Sequence, residues 1–179
     1  MLENGKAKID NSSSGIRISI PSKKNWFGLL FGTAWLGGWY FGFKNVIMTL
    51  SFDSNGFGAD GFMTFWLIGW TIGGLAIIIF LLWGYFGQEK IKVDCGEMLF
   101  EKTIFGIGLK KRFEANEIKN FRTEKIETGM FSKNGWAFWG LGPGQIKFDY
   151  GLKTFSFGLG VDDSEANYLV ELLSNHFKK

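Results

Sequence analysis

Leu75-Ala76-Ile77-Ile78-Ile79-Phe80-Leu81-Leu82 is the most apolar part of a longer run, Gly61 to Gln88, in which no residue carries a charge. A helix needs about 20 apolar residues to cross a bilayer core of roughly 30 Å, and this run exceeds that length. Its strongest part is apolar on every side, which suits lipid better than a half-wet protein surface. The run predicts a membrane-spanning helix over about 62–87.

A second charge-free run lies upstream, from Asn25 to Phe43, with five glycines and eight aromatics. Glycine costs about 1 kcal/mol per residue in an aqueous helix, whereas an unpaired backbone group in lipid costs several. A helix over about 25–43 is therefore expected, with room to extend past Lys44 into Val46-Ile47-Met48 while the lysine reaches for the headgroups. The alternative for this run is a re-entrant or interfacial segment. A polar leader precedes it and no small-x-small cleavage pattern follows, so it reads as retained rather than as a removed signal.

Charge sets the expected orientation. Residues 1–24 carry Lys6, Lys8, Arg17, Lys23 and Lys24, the connection 44–60 carries only Lys44 against Asp53 and Asp60, and Lys90 and Lys92 follow Gln88. Positive charge collects on the cytoplasmic side, which places both termini in the cytoplasm of a multi-pass protein of the inner or plasma membrane. Trp26, Trp83 and Tyr85 then fall at the inner interface, and Trp39, Tyr40 and Trp66 near the outer one, where amphipathic rings are favoured. Gly28 and Gly32, Gly38 and Gly42, and Gly69 and Gly73 are each about one helical turn apart. Such smooth patches let helix backbones approach closely, either within the hairpin or against another subunit, a homo-oligomer included.

The whole chain has 179 residues, 46% apolar and 21% charged, which excludes a disordered chain and leaves room for one ordinary domain beside the hairpin. One Cys and one His exclude a disulfide framework, a zinc site built within the chain and a histidine-based triad. A net charge of +3 is too weak to imply nucleic acid. Cys95 has no second thiol nearby, and His176 reads as a helix-end residue. Phe105-Gly106-Ile107-Gly108-Leu109 lies between short strands rather than before a helix, which argues against a dinucleotide fingerprint. No catalytic residue, metal site or cofactor is expected.

After Gln88 the period changes to two. Ile91 and Val93 alternate with lysines. Met98 to Phe105, Lys110 to Phe113 and Ile118 to Ile126 read as further strands. Ile146, Phe148 and Tyr150 alternate, as do Phe155 and Phe157, with Tyr150-Gly151 as a hairpin tip. A helix closes the chain. Asp162 and Asp163 open it, Glu165 completes a capping box, Leu169, Leu172, Leu173 and Phe177 form its apolar face, and Lys178 and Lys179 sit at its end. Upstream, Ile16, Ile18 and Ile20 alternate up to Pro21, a seventh strand expected to pair with an edge of the same sheet. The expected organisation is a segment 1–24 with a strand at about 16–20, a transmembrane hairpin 25–88, and an antiparallel β-barrel or sheet domain 89–179 closed by the helix, an α+β membrane protein.

Three stretches carry a likeness to a known family. One is Ile18-Ser19-Ile20-Pro21-Ser22-Lys23-Lys24-Asn25-Trp26-Phe27, with Trp35 to Trp39 after it. Another is Ile146-Lys147-Phe148-Asp149-Tyr150-Gly151. The last is Phe157-Gly158-Leu159-Gly160 before Glu165-Ala166. With these the chain resembles uncharacterised bacterial membrane proteins that carry a pleckstrin-homology-like domain after a transmembrane hairpin. The resemblance implies a small curled sheet capped by the C-terminal helix. It also implies binding of lipid headgroups, peptides or proteins rather than catalysis.

Two groups of residues are candidates for such contacts. Lys102 with Lys110-Lys111-Arg112 loosely fits the basic pattern of phosphoinositide-binding domains. These residues are either a solvated strand edge or a contact for anionic phospholipid, together with Lys23 and Lys24 beside the first helix. Trp136, Phe138 and Trp139 next to a Gly-rich run are either core or an exposed partner surface. The function expected from all this is a non-enzymatic scaffold or adaptor that binds a membrane protein partner or the lipid surface. The alternative is an accessory subunit of a membrane transport or enzyme complex.

Overall fold

Alternation builds the polar part of the chain. Gly15–Pro21 puts Ile16, Ile18 and Ile20 on one side of an extended segment, and Gly87–Asp94 does the same with Ile91 and Val93. In the computed structural model, which describes residues 5–12, 15–49, 57–94, 96–127 and 134–177, these segments are strands β2 and β3. They pair antiparallel with Ile18 opposite Ile91. The strand before the first apolar run thus lies beside the strand after the second. β2 is interior, because an edge strand β1, Lys8–Ser12, pairs on its other side.

β4 (Glu97–Ile104) and β5 (Ile107–Glu114) complete a five-stranded antiparallel sheet in the order β1-β2-β3-β4-β5. β6 (Ile118–Thr123), β7 (Ile146–Tyr150) and β8 (Lys153–Phe157) form a second, three-stranded sheet. The barrel is therefore not closed among the described residues. A 3-10 turn at Ala115–Glu117 carries the chain out of the β5 ladder, and a register shift between Lys119 and Arg122, with Asn120 at φ +55°, bends β6. Packing of the two faces seals the core instead. Phe113 meets Phe148 edge-on at 5.2 Å and Phe155 at 4.8 Å, and Phe100 meets Phe157 at 6.1 Å. Ile18, Ile20, Ile91 and Met98 of the first sheet, Ile146 and Phe148 of the second, and Leu169 and Leu173 of the last helix share this core. Each such side chain contributes about 1.5–3 kcal/mol when fully buried.

The last helix, Asp163–Phe177, lies on β6. Asp162 accepts the amide of Glu165 at 2.8 Å, as the cap requires. The reciprocal half of the expected box is not made, because the Glu165 carboxylate accepts the Ala7 amide at 2.6 Å and ties the N-terminal segment to the helix. His176 is an exposed residue of the helix's last turn, and Cys95, Lys178 and Lys179 lie outside the described residues.

The chain divides into two units. One takes in the described residues of Met1–Asn25 and Trp83–Lys179, and the other is Trp26–Leu82. The second unit is built from α1 (Trp26–Thr49), which continues past Lys44, and from α2, which runs Phe57–Phe86 and ends in the first unit. Gly32 faces Leu81, Gly42 faces Trp70, and the Trp39 indole donates to the Trp70 carbonyl at 2.9 Å. Early α1 against late α2, and late α1 against early α2, is an antiparallel pair. Of the two spans expected, only one meets the criterion. Gly61–Phe86, 26 residues, is long and apolar enough to cross a membrane, and only 11% of its most apolar window is buried. α1 falls short because its apolar character rests on Trp, Tyr and Gly rather than on aliphatic side chains, and because Lys44 and Asn45 interrupt it.

Candidate functional site

The basic run of β5 is split by its own strand. Phe113 faces the core, so Lys111 shares its side and lies over the Phe155 ring at 5.2 Å, while Lys110 and Arg112 point to the opposite face. Lys102 is also on the core side. Its ammonium is 3.0 Å from the buried Glu89 carboxylate, whose other oxygen accepts the Gly158 amide at 2.6 Å. Lys102 therefore neutralises a buried charge and joins β4 to β3, while Glu89 joins β3 to the segment after β8. The four residues do not converge on one ligand.

What does converge is a set that the ladder assembles from distant parts of the chain. On the outer face of the five-stranded sheet, Arg17 is opposite Lys92, Lys92 opposite Leu99, and Leu99 opposite Arg112. The next row is Ser19, Lys90, Glu101 and Lys110. Lys110 lies 3.2 Å and Lys92 3.8 Å from the Glu101 carboxylate, which the lysine stems shield from water. Arg17, Lys90, Lys92, Lys110 and Arg112 thus stand against one carboxylate in these rows of β2–β5. Arg17 and Arg112 have no ion-pair partner among the described residues, and they flank a recess of about 500 Å³ with Lys92 and Leu99. Asp94 and Glu97 line the recess too, and with Glu114 they form an acidic row at one end. Two guanidinium forks and an ammonium around an apolar floor suit a carboxylate or phosphate oxygen, which they can bind by charge-assisted hydrogen bonds.

A second cluster, within the first unit, gathers around Ser22–Asn25 and Trp83–Gly84. The Ser22 hydroxyl donates to the Gly84 carbonyl at 3.1 Å, and the Asn25 amide donates to the Phe138 carbonyl at 2.9 Å. The Trp83 indole donates to the Gly140 carbonyl at 3.2 Å. Trp136, Phe138 and Trp139 are not on a strand. They belong to a short helical turn, α3 (Gly135–Phe138), and the turn after it. Ala137 is buried, Phe138 and Trp139 are half-buried, and Trp136 is exposed. Gly140 takes φ +81° and approaches the Lys23 carbonyl too closely for a side chain. Lys23 is half-buried here, and burial first and the Lys6 charge second draw its ammonium below the ordinary lysine range. Lys24 lies at the same junction and is exposed.

The glycines separate into two sets. Gly28 is buried, Gly32 and Gly42 touch the partner helix, and Gly38, Gly69 and Gly73 face open space. One tight position in α2 is a glycine the spacing did not single out. Gly74 lies under the Trp39 indole, where a Cβ would overlap the ring.

A second recess, of about 590 Å³, lies beside β6 and β7. One of its two carboxylates, Asp149, accepts from Thr154 at 2.7 Å, Arg122 at 2.9 Å and Asn120 at 3.1 Å. The Thr154 hydroxyl, then the Asn120 amide and Arg122, hold this carboxyl below its usual range. Four of the polar groups that line the recess are thus bonded to one another. Among the described residues, no three His, Cys, Asp or Glu side chains are placed to share a metal ion. No family model and no curated protein matches the chain.

Proposed function

We propose that this chain is an integral membrane protein that presents a non-enzymatic, pleckstrin-homology-like interaction module to anionic groups. The observation that carries the reading is the exposure of α2, a 26-residue apolar span with almost none of its most apolar window buried. A core helix of that composition in water would be covered. A membrane span is covered by lipid. The antiparallel contact of α1 with α2 supports a two-helix hairpin, with α1 crossing in the company of a partner that meets the length criterion by itself. Lysines before α1 and after α2 favour a cytoplasmic module. Antiparallel strands capped by a C-terminal helix support the module that the family resemblance implies, although the strands form two sheets rather than one curled sheet, with the helices inserted between β2 and β3.

Alkaline carbonate extraction of membranes from cells expressing the full chain tests this. The protein is expected to stay in the membrane pellet, and release into the supernatant overturns the reading. One observation favours a second role, that of accessory subunit: Gly38, Gly69 and Gly73 leave smooth surface with nothing against it. A monomer in mild detergent whose mass is unchanged by Gly73→Leu counts against that role.

A further inference from the structure

The β4–β5 turn is built against local preference. Phe105 and Gly106 form its two central residues, with Ile104 opposite Ile107, and both have positive φ, +51° and +84°. A two-residue turn of this kind favours Asn-Gly, because a bulky side chain is strained at positive φ. Phenylalanine stands there instead and is 68% exposed. Beyond it Ile107 is 83% and Leu109 76% exposed, so among the described residues the tip offers three large apolar side chains that are mostly uncovered. A strained residue that persists without burying its side chain calls for a use outside the fold.

Place says what that use is. Phe86 is the last residue of α2, and its ring lies 4.5 Å from that of Phe105. Gly87, the next residue, is opposite Ile104 in the sheet. The register therefore fixes the turn at the level where the apolar helix ends. Tyr85, Phe86, Phe105, Lys24 and Lys90 line one recess of about 490 Å³ at that level. Aromatic rings, aliphatic side chains and lysines at the end of a span are the composition of a membrane–water interface.

We infer that the Phe105–Leu109 turn dips into the bilayer interface beside the end of α2 and fixes the depth of the sheet at the membrane. Lys24 and Lys90 lie at the level of the anionic headgroups. The inference rests on the reading of α2 as a membrane span. It differs from that reading in naming a second, non-helical contact with lipid.

Site-directed spin labelling of the full chain in phosphatidylcholine–phosphatidylglycerol nanodiscs separates the two. Cys95→Ser removes the native thiol, and single labels are placed through Ile79→Cys, Ile107→Cys and Leu152→Cys. Leu152, at the fully exposed β7–β8 turn, is the water reference, and Ile79 is the lipid reference. Ile107 is expected to lose the nickel-chelate collisions seen at Leu152 and to gain the dioxygen collisions seen at Ile79. If Ile79 reports lipid and Ile107 reports water, the turn is not inserted and this inference alone fails. If Ile79 itself reports water, the membrane reading fails and takes the inference with it. Phe105→Asn gives a turn the backbone prefers, so it is expected to leave the fold intact while moving the Ile107 label toward the water value. No movement overturns the role given to Phe105.

Discussion

The two units of this molecule follow opposite rules of exposure. In the β unit, the β4–β5 and β7–β8 turns and Trp136 apart, the large apolar residues are mostly inside: Phe148 is 1% exposed, and the outer sheet face carries Arg17, Lys90, Lys92, Lys110 and Arg112. In the helix pair Phe65 is 76% exposed, Ile72, Leu75 and Ile79 also face outward, and the inner face holds Gly32, Gly42 and Gly74. Small residues at the helix contact and large apolar ones facing out are what the membrane reading proposed above requires of such a pair. Association then comes from close backbone packing and interhelical hydrogen bonds, such as that from Trp39 to the Trp70 carbonyl. The contrast teaches that one chain holds two opposite exposure patterns, and the proposed function assigns a different solvent to each.

The sharpest way to break the contrast is to truncate one phenylalanine in each unit. Phe148→Ala leaves a cavity in a sealed core and is expected to lower stability by about 3–5 kcal/mol. If lipid covers α2, as proposed, Phe65→Ala removes surface that stays in an apolar environment and is expected to leave the melting of the full chain in detergent unchanged. A comparable loss at Phe65 would mean that protein, not lipid, covers that face.

A charge probes the same face from the other side. Ile72→Asp is expected to cost about 2.5–3.5 kcal/mol of insertion, the penalty for a carboxylate near the centre of a span. Reduced membrane integration in a translation assay with microsomes checks it. Normal integration would mean that Ile72 lies near water.

Within the helix pair, Gly74→Val should cost about 1–3 kcal/mol by overpacking, because the added atoms meet the Trp39 ring. Gly73→Val meets nothing and should leave the pair intact. Detergent melting of both variants decides the matter, and equal losses would show that the packing face is wrongly phased.

These cases also mark how far the sequence alone could be read. Period two exposed β2, β3, β7 and β8, because Ile16-Ile18-Ile20 and Ile146-Phe148 alternate without interruption. β1, Lys8–Ser12, carried no such signal: only Ile9 is apolar, and backbone pairing holds it. The Trp136 stretch has no period at all, so strand and loop looked alike until Ala137 and Gly140 were seen in place. The basic face was illegible for another reason. Arg17 and Lys92 are brought together by a register that spans both helices, while Lys110-Lys111-Arg112, adjacent in sequence, is divided by alternation. Adjacency was visible and register was not. The same holds for Gly73 and Gly74, where one residue of helical phase decides which meets Trp39.

The smallest effect separates the units by pH. Asp149 is ionised against Thr154, Asn120 and Arg122, so its carboxyl titrates lower in the folded chain than in the unfolded one. Glu124 is shifted the same way, chiefly by its hydrogen bond and ion pair with Lys147. A depressed carboxyl contributes stability that is fully present above its unfolded value, about pH 4, and is lost as pH falls below it. The β unit is therefore expected to loosen on acidification below about pH 4, more gently in Asp149→Asn because that contribution is already absent. The helix pair has little comparable response to offer, since α1 contains no carboxylate and α2 only Asp60, near its start. Circular dichroism from pH 6 to pH 2, with both sites exposed enough for water to compete, should show strand signal fading while helix signal holds. Joint loss of the two signals would mean that the helices depend on the sheets for their stability, and that lipid alone does not sustain them.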